Sequence, residues 1–126
     1  MTRYEIPAEP PAAGWDIHCH TAFSDGTMTP EGMVAQAVRI GLEGVAITDH
    51  DTSAGWGDAV EAAQRLGLPL LRGTEITAAD GDVSVHMLGL QYDPTNERLV
   101  NMFATTRRKR LQRTRTMVEL MARDFP

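Results

Sequence analysis

From Gly14 onward the apolar positions fall into two alternating patterns. Trp15 to His20, Gly44 to Thr48 and Leu68 to Glu75 are short, apolar-rich runs that read as strands. Between them, Pro30 to Ile40 and about Trp56 to Leu66 place apolar residues three and four apart, as helices do. The first helix turns Met33, Val34, Ala37 and Val38 inward, the second Ala59, Val60, Ala63 and Leu66. Thr29 as N-cap, Pro30 at the first helical position, Glu31 in the first turn and Gly41 just past the end punctuate the first helix. Gly67 closes the second before Pro69. Strand, helix, strand, helix, strand predicts an α/β fold with parallel pairing. A further strand-like run, Val83-Ser84-Val85, follows. Leu99, Phe103, Leu111, Val118 and Met121 then predict one long helix from about Thr95 to Arg123, its spacing interrupted around Arg107. The first thirteen residues, with three of the seven prolines, read as an extended lead-in.

Composition narrows the class. The chain has 126 residues, 42% of them hydrophobic and 23% charged, which suits one globular domain with a core. The net charge of -5 argues against a general nucleic-acid binder, although the basic residues are unevenly placed. A single cysteine, Cys19, excludes an internal disulfide, and the start of the chain lacks a basic segment followed by an apolar one. A reducing cytoplasm is the expected location. No apolar run approaches the roughly 20 residues that cross a bilayer, so a membrane protein is not expected.

Candidate chemistry gathers in Asp16-Ile17-His18-Cys19-His20-Thr21, Ser24-Asp25-Gly26 and Thr48-Asp49-His50-Asp51. On a strand His18 and His20 project from one face with Asp16, and Cys19 from the other. Paired imidazoles suit a metal, which takes about four to six donors. Asp25, His50, Glu75 and His86 are the further candidates, each in or just after a strand-like run or turn. His86 alone also reads as a hydrogen-bonded core residue, and Asp25 as a turn residue. In parallel α/β folds the site collects at the carboxyl ends of the strands, where His20, His50 and Glu75 fall. Ser24 and Cys19 are weak nucleophile candidates: Cys19 points away from the histidines, and Ser24 has no base except a ligand histidine.

These segments resemble the motifs of the PHP (polymerase and histidinol phosphatase) metal-dependent phosphoesterases. The opening motif is similar to Asp16-Ile17-His18-Cys19-His20-Thr21 with Ser24-Asp25-Gly26, and the second to Ile47-Thr48-Asp49-His50-Asp51. The third is similar to Gly73-Thr74-Glu75-Ile76 and a further one to Val85-His86-Met87-Leu88-Gly89. The resemblance implies the amino-terminal part of a distorted (β/α)7 barrel over residues 14–94, followed at 95–126 by a basic helix that begins an insertion of the nucleotide-phosphatase-like branch. It implies two or three divalent ions: one held by His18 and His20, a second by His86 with Glu75 bridging the two, and a third by Asp25 and His50. Asp16, and Asp49 near His50, would orient imidazoles from behind. Manganese, zinc and iron all suit such donors. Metal-activated hydroxide would then attack a phosphate ester without a nucleophilic side chain.

Family members complete their sites with later histidines, and no histidine follows His86 here. The sequence therefore resembles the amino-terminal portion of such a protein, with the rest of the barrel or a second chain as the expected partner.

Arg107, Arg108, Lys109, Arg110, Arg113 and Arg115 make the middle of the last helix basic. Such a run is commonly a solvated face. Alternatively some of them, Arg107 and Arg110 foremost, hold a substrate phosphate by forked contacts. The resemblance to the nucleotide-phosphatase-like branch implies a small phosphorylated metabolite, a nucleotide mono- or bisphosphate, as substrate. A short RNA or DNA is the alternative, disfavoured because Trp15, Phe23, Trp56 and Phe103 are not interleaved with the basic run. A metal-binding module without activity is the third reading.

Overall fold

The computed structural model describes residues 14–125, so the expected lead-in at 1–13 lies outside the described residues. Strand β1 (Trp15–Cys19) leads through helix α1 (Pro30–Arg39) to β2 (Gly44–Ile47), and α2 (Trp56–Leu66) leads to β3 (Leu70–Asp80). A hairpin then gives β4 (Val83–Leu90), and the long helix α3 (Glu97–Asp124) follows. The sheet order is β1-β2-β3-β4. β1, β2 and β3 pair in parallel, as the alternating pattern predicts. β4 pairs antiparallel to β3 from Gly73↔Leu90 to Asp80↔Val83.

Local chemistry sets each element. The Thr29 hydroxyl accepts the Gly32 N–H at 3.1 Å and opens α1 at Pro30. Gly67 takes φ +69 and stops α2, with Leu68 N–H donating to Ala63 O at 3.0 Å. Asn96, not Thr95, starts α3: its side chain accepts the Leu99 N–H at 3.2 Å, while Thr95 folds back on Asp93. β3 runs five residues beyond Glu75 because Gly81, at φ +57, turns the chain in two residues and gives those residues a partner.

The core lies between the sheet and the α1, α2 layer. Both helices cover the same face of the sheet, since they share one core with β2. Met33, Val34 and Ala37 of α1 pack with Val45 and Ile47 of β2 and with Trp56, Ala59, Ala62 and Ala63 of α2. The inward stripe of α2 is turned slightly from the expected one: Trp56 and Ala62 are buried, while Leu66 is exposed, as is Val38 on α1. Every residue of β2 is buried, as expected of a central parallel strand. The apolar positions of α3 behave differently. Phe103 packs against Tyr92, but Leu111, Val118 and Met121 are 56%, 60% and 62% exposed.

Candidate metal centre

All four histidines of the described chain meet around one carboxylate. Glu75, in the middle of β3, places Oε2 2.7 Å from His18 Nε2 and 2.9 Å from His20 Nε2, and Oε1 2.9 Å from His86 Nδ1. His50 Nε2 lies 3.7 Å from Glu75 Oε2 and 3.2 Å from Asp25 Oδ2. The rings of His20 and His50 stack at 4.6 Å between centroids.

The elements explain this convergence. His18 and His20 leave the end of β1, and His50 follows β2 and bridges to Glu75. His86 on β4 is paired with Thr77, two residues beyond Glu75, so the antiparallel strand returns a ligand candidate to the carboxyl ends of the parallel ones. β1 is not a regular strand. It advances from Asp16 to Cys19 while β2 advances only from Val45 to Ile47, which is a bulge. Asp16 Oδ1 accepts the His18 N–H there at 3.1 Å.

Asp25 arrives on a loop folded tightly onto β1. Ser24 N–H and Gly26 N–H both donate to Thr21 O, at 3.0 and 2.9 Å. A Cβ on Gly26 would lie 2.4 Å from the His20 carbonyl oxygen, so only glycine fits. Asp49, 1% exposed, pins the same loop: it accepts Thr21 N–H and Thr21 Oγ1–H at 2.7 Å each and Ser24 Oγ–H at 2.6 Å. Asp16 and Asp49 were expected against imidazoles. Asp16 instead accepts the His18 backbone N–H, and Asp49 accepts from this loop. The physical reason is local, since the bulge leaves an N–H and the loop three donors that need acceptors.

The electrostatics follow from the crowding. Burial alone would raise the Glu75 carboxyl, but the hydrogen bond from His18 and the charges of His50, His18 and His20 hold it below its ordinary value. Cys19 is the opposite case: burial, then the charge and hydrogen bond of Asp16, push the thiol up to about 12. It packs against the apolar core, and Ser24 Oγ donates to Asp49, so neither is placed as a nucleophile.

Donor atoms of His18, His20 and Glu75 all lie within 4.8 Å of one another, and so do those of His20, Asp25 and His50 and of His50, Glu75 and His86. All six expected ligands are thereby brought together. Nδ1 of His20 and Nδ1 of His50 are buried without a hydrogen-bond partner, although Asp25 Oδ1 lies 3.4 Å from the former. A buried His20 nitrogen facing the Asp25 carboxylate without a hydrogen bond, beside imidazole and carboxylate donors within 4.8 Å of one another, fits a set of divalent cations.

The basic helix reaches this rim. Arg107 donates to the Asp51 carbonyl at 2.5 Å, and Arg110 donates to Thr77 Oγ1 at 2.8 Å and lies 3.6 Å from Asp51 Oδ2. Lys109, Arg110 and Arg113 face His86 and Ser84 across a cleft of about 570 Å³. Asp51 and Thr77 are thus part of the site, although sequence reasoning gave them no role. Asp51 stood inside the Thr48–Asp51 cluster, which was its one visible signal.

Known proteins are similar to this chain in sequence. The chain is 37% identical over 105 residues to the 3′,5′-nucleoside bisphosphate phosphatase of Chromobacterium violaceum, a match covering 83% of this chain and 37% of that protein. It is 37% identical over 107 residues to a 5′-3′ exoribonuclease of Escherichia coli, covering 83% and 36%. A crystal structure from Bifidobacterium adolescentis, assigned as a metal-dependent phosphoesterase, superimposes with a TM-score of 0.88 at 66% identity, covering 94% of this chain and 41% of that one. The chain spans well under half the length of these relatives. Residues 16–122, which contain all six convergent side chains, match the family described as the PHP domain, and the chain belongs to that family.

Proposed function

We propose that this site hydrolyses phosphate esters of a small phosphorylated metabolite, a nucleotide mono- or bisphosphate, with two or three divalent ions of manganese, zinc or iron. The observation that carries this reading is the convergence of His18, His20, Asp25, His50, Glu75 and His86 into three overlapping donor groups. Glu75, within reach of His18, His20 and His86, suits a bridge between two ions, and Asp25 with His50 suits a third. When bound, divalent ions acidify water and screen the phosphate's charge.

The chain's own residues do the rest. Glu75 stays ionised, so it offers a charged oxygen to more than one cation. Asp49 and Gly26 fix the loop that presents Asp25. Arg110, with Lys109 and Arg113, forms a positive wall opposite His86 that suits a second phosphate. Arg107 is committed to the Asp51 carbonyl on the side of Tyr92 and Phe103, and supports the wall from behind. In this reading residues 14–94 supply the metal site and 95–126 the basic helix, and the remaining part of a barrel or a second chain completes the active protein.

Likeness to an exoribonuclease favours short RNA as the second reading. The burial of Trp56 and Phe103 removes two aromatic rings that a single strand would stack on, which favours the smaller substrate. Among the described residues no helix is long and apolar enough to cross a membrane. The free thiol of Cys19 suits a reducing cytoplasm.

The test is to reconstitute metal-free protein with Mn²⁺, measure bound metal, and compare release of phosphate from a nucleoside 3′,5′-bisphosphate with degradation of a short 5′-phosphorylated RNA. Faster turnover of the bisphosphate, with a raised KM in Arg110→Ala, is expected. Bound metal without turnover of either substrate would leave a metal-binding module. Unchanged KM in both Arg107→Ala and Arg110→Ala would remove the arginines from substrate binding.

A further inference from the structure

Between the histidine cluster and the basic helix lies a buried carboxylate that serves neither as a ligand candidate nor as a phosphate contact. Asp51 is 1% exposed and adopts φ 50, the left-handed region, where asparagine, aspartate and glycine are the usual occupants. Glycine would take that conformation with less strain, so conformation alone does not call for aspartate. The contacts do.

Each polar group of Asp51 is engaged by a different part of the site. Its N–H donates to the Glu75 carbonyl at 3.1 Å. Its Oδ1 accepts the Thr77 N–H at 2.9 Å and its Oδ2 accepts the Thr77 hydroxyl at 2.7 Å. Its carbonyl accepts from Arg107 at 2.5 Å. Thr77 Oγ1 in turn accepts from Arg110, whose nitrogen stands 3.6 Å from Asp51 Oδ2. Asp51 therefore touches one candidate ligand and follows another (His50) directly in the chain; its main-chain carbonyl holds Arg107, and its carboxylate, through Thr77, holds Arg110.

The burial pattern shows why such a device matters here. Of the residues of α3, Phe103 alone is buried, so apolar packing fixes the helix only near its start. Arg110 lies two turns further along, where the helix is exposed on all sides. A guanidinium there would sample several rotamers unless polar partners fixed it.

We infer that Asp51 is a positioning residue: through Thr77 and the two arginines it sets the distance between the His50–Glu75 donors and the cationic wall of α3, and so favours ligands that carry a second phosphate. This role rests on the proposed phosphoesterase reading.

Calorimetric titration separates this inference from the reading beneath it. Manganese-loaded protein is titrated with a nucleoside 3′,5′-bisphosphate and, separately, with orthophosphate, and bound manganese is measured in each variant. Asp51→Asn keeps the left-handed backbone and one acceptor but removes the charge. It should weaken bisphosphate binding on the order of 10-fold or more, as loss of an orienting partner commonly does. Manganese content should not change, and orthophosphate affinity should stay within about twofold. Asp51→Gly, which adopts the same φ with no side-chain oxygen, should weaken bisphosphate binding further. Arg110→Ala combined with Asp51→Asn should be little weaker than Arg110→Ala alone, because the two act through one contact.

Equal bisphosphate affinity in the unsubstituted protein and both Asp51 variants would overturn the inference. So would loss of manganese in Asp51→Asn with full manganese in Arg110→Ala, which would assign Asp51 to the donor cluster instead. Absence of bisphosphate binding to the unsubstituted, manganese-loaded protein would remove the proposed substrate itself, and the positioning role with it.

Discussion

The layer formed by α1, α2 and the parallel strands is held together by different forces from the hairpin and α3. In the former, β2 is buried along its whole length and Val34, Ile47 and Ala59 are fully enclosed. In the latter, Val83, Met87, Leu111 and Met121 are exposed, and α3 meets the rest of the chain through Phe103, Arg107 and Arg110. Charge divides in the same way: α3 carries eight of the twelve Lys and Arg but three of the seventeen acids. The first region is a scaffold stabilised by non-directional burial. Within the second, β4 is held by its ladder to β3, whereas α3 is placed by a few directional contacts, so it is more easily moved without unfolding the scaffold.

The largest expected effect falls where the two regions meet. Glu75→Ala removes the carboxylate shared by all four imidazoles, and bound manganese should fall by more than the roughly 10- to 100-fold in affinity typical of groups that only support a donor. Metal analysis after dialysis checks it. Retained manganese would show that the two regions do not depend on Glu75 for a common site.

Next comes stability. Ile47→Ala should destabilise the chain by about 2–5 kcal/mol in urea unfolding, because its side chain is fully enclosed. Met121→Ala on α3, 62% exposed, should stay within about 0.5 kcal/mol. Similar losses at both positions would erase the distinction between scaffold and helix.

Acid should separate the regions more gently. Glu75 ionises below its ordinary value of 4.5 when folded, so its contribution is complete above about pH 4.5 and is lost as pH falls through the lower folded value. In metal-free protein Glu75→Gln should flatten that part of the stability profile. An unchanged slope would mean that the histidines around Glu75 do not act on it.

The smallest effect is at Cys19. With its thiol pushed up to about 12 by burial and by Asp16, alkylation by iodoacetamide at pH 8 should be much slower than that of free cysteine. Alkylation at the free-cysteine rate would show that β1 opens readily and is less firmly part of the scaffold than β2.

Much of this was legible in the sequence. The strand and helix periods, Thr29, Pro30 and Gly67 marked the parallel layer, because capping and burial there depend on neighbours close in the chain. The histidines and acids at strand ends pointed to the six residues that converge. The rest depended on partners far apart in sequence. The bulge in β1 follows from its register against β2, and the partners of Asp49 from a loop 25 and 28 residues earlier. Asp51 was passed over because Thr77 and Arg110, which give it meaning, lie 26 and 59 residues away. The antiparallel return of β4 had a local signal, Asp80-Gly81-Asp82, which the strand-helix alternation obscured.

The contact between Gly26 and the His20 carbonyl has a consequence for how cations are captured. With the Asp25 loop pressed onto β1 and closed by Thr21, its ordering entropy belongs to folding rather than to ligand capture. A cation held by His20, Asp25 and His50 would then need little rearrangement of this loop, and chelation should leave the loop in place.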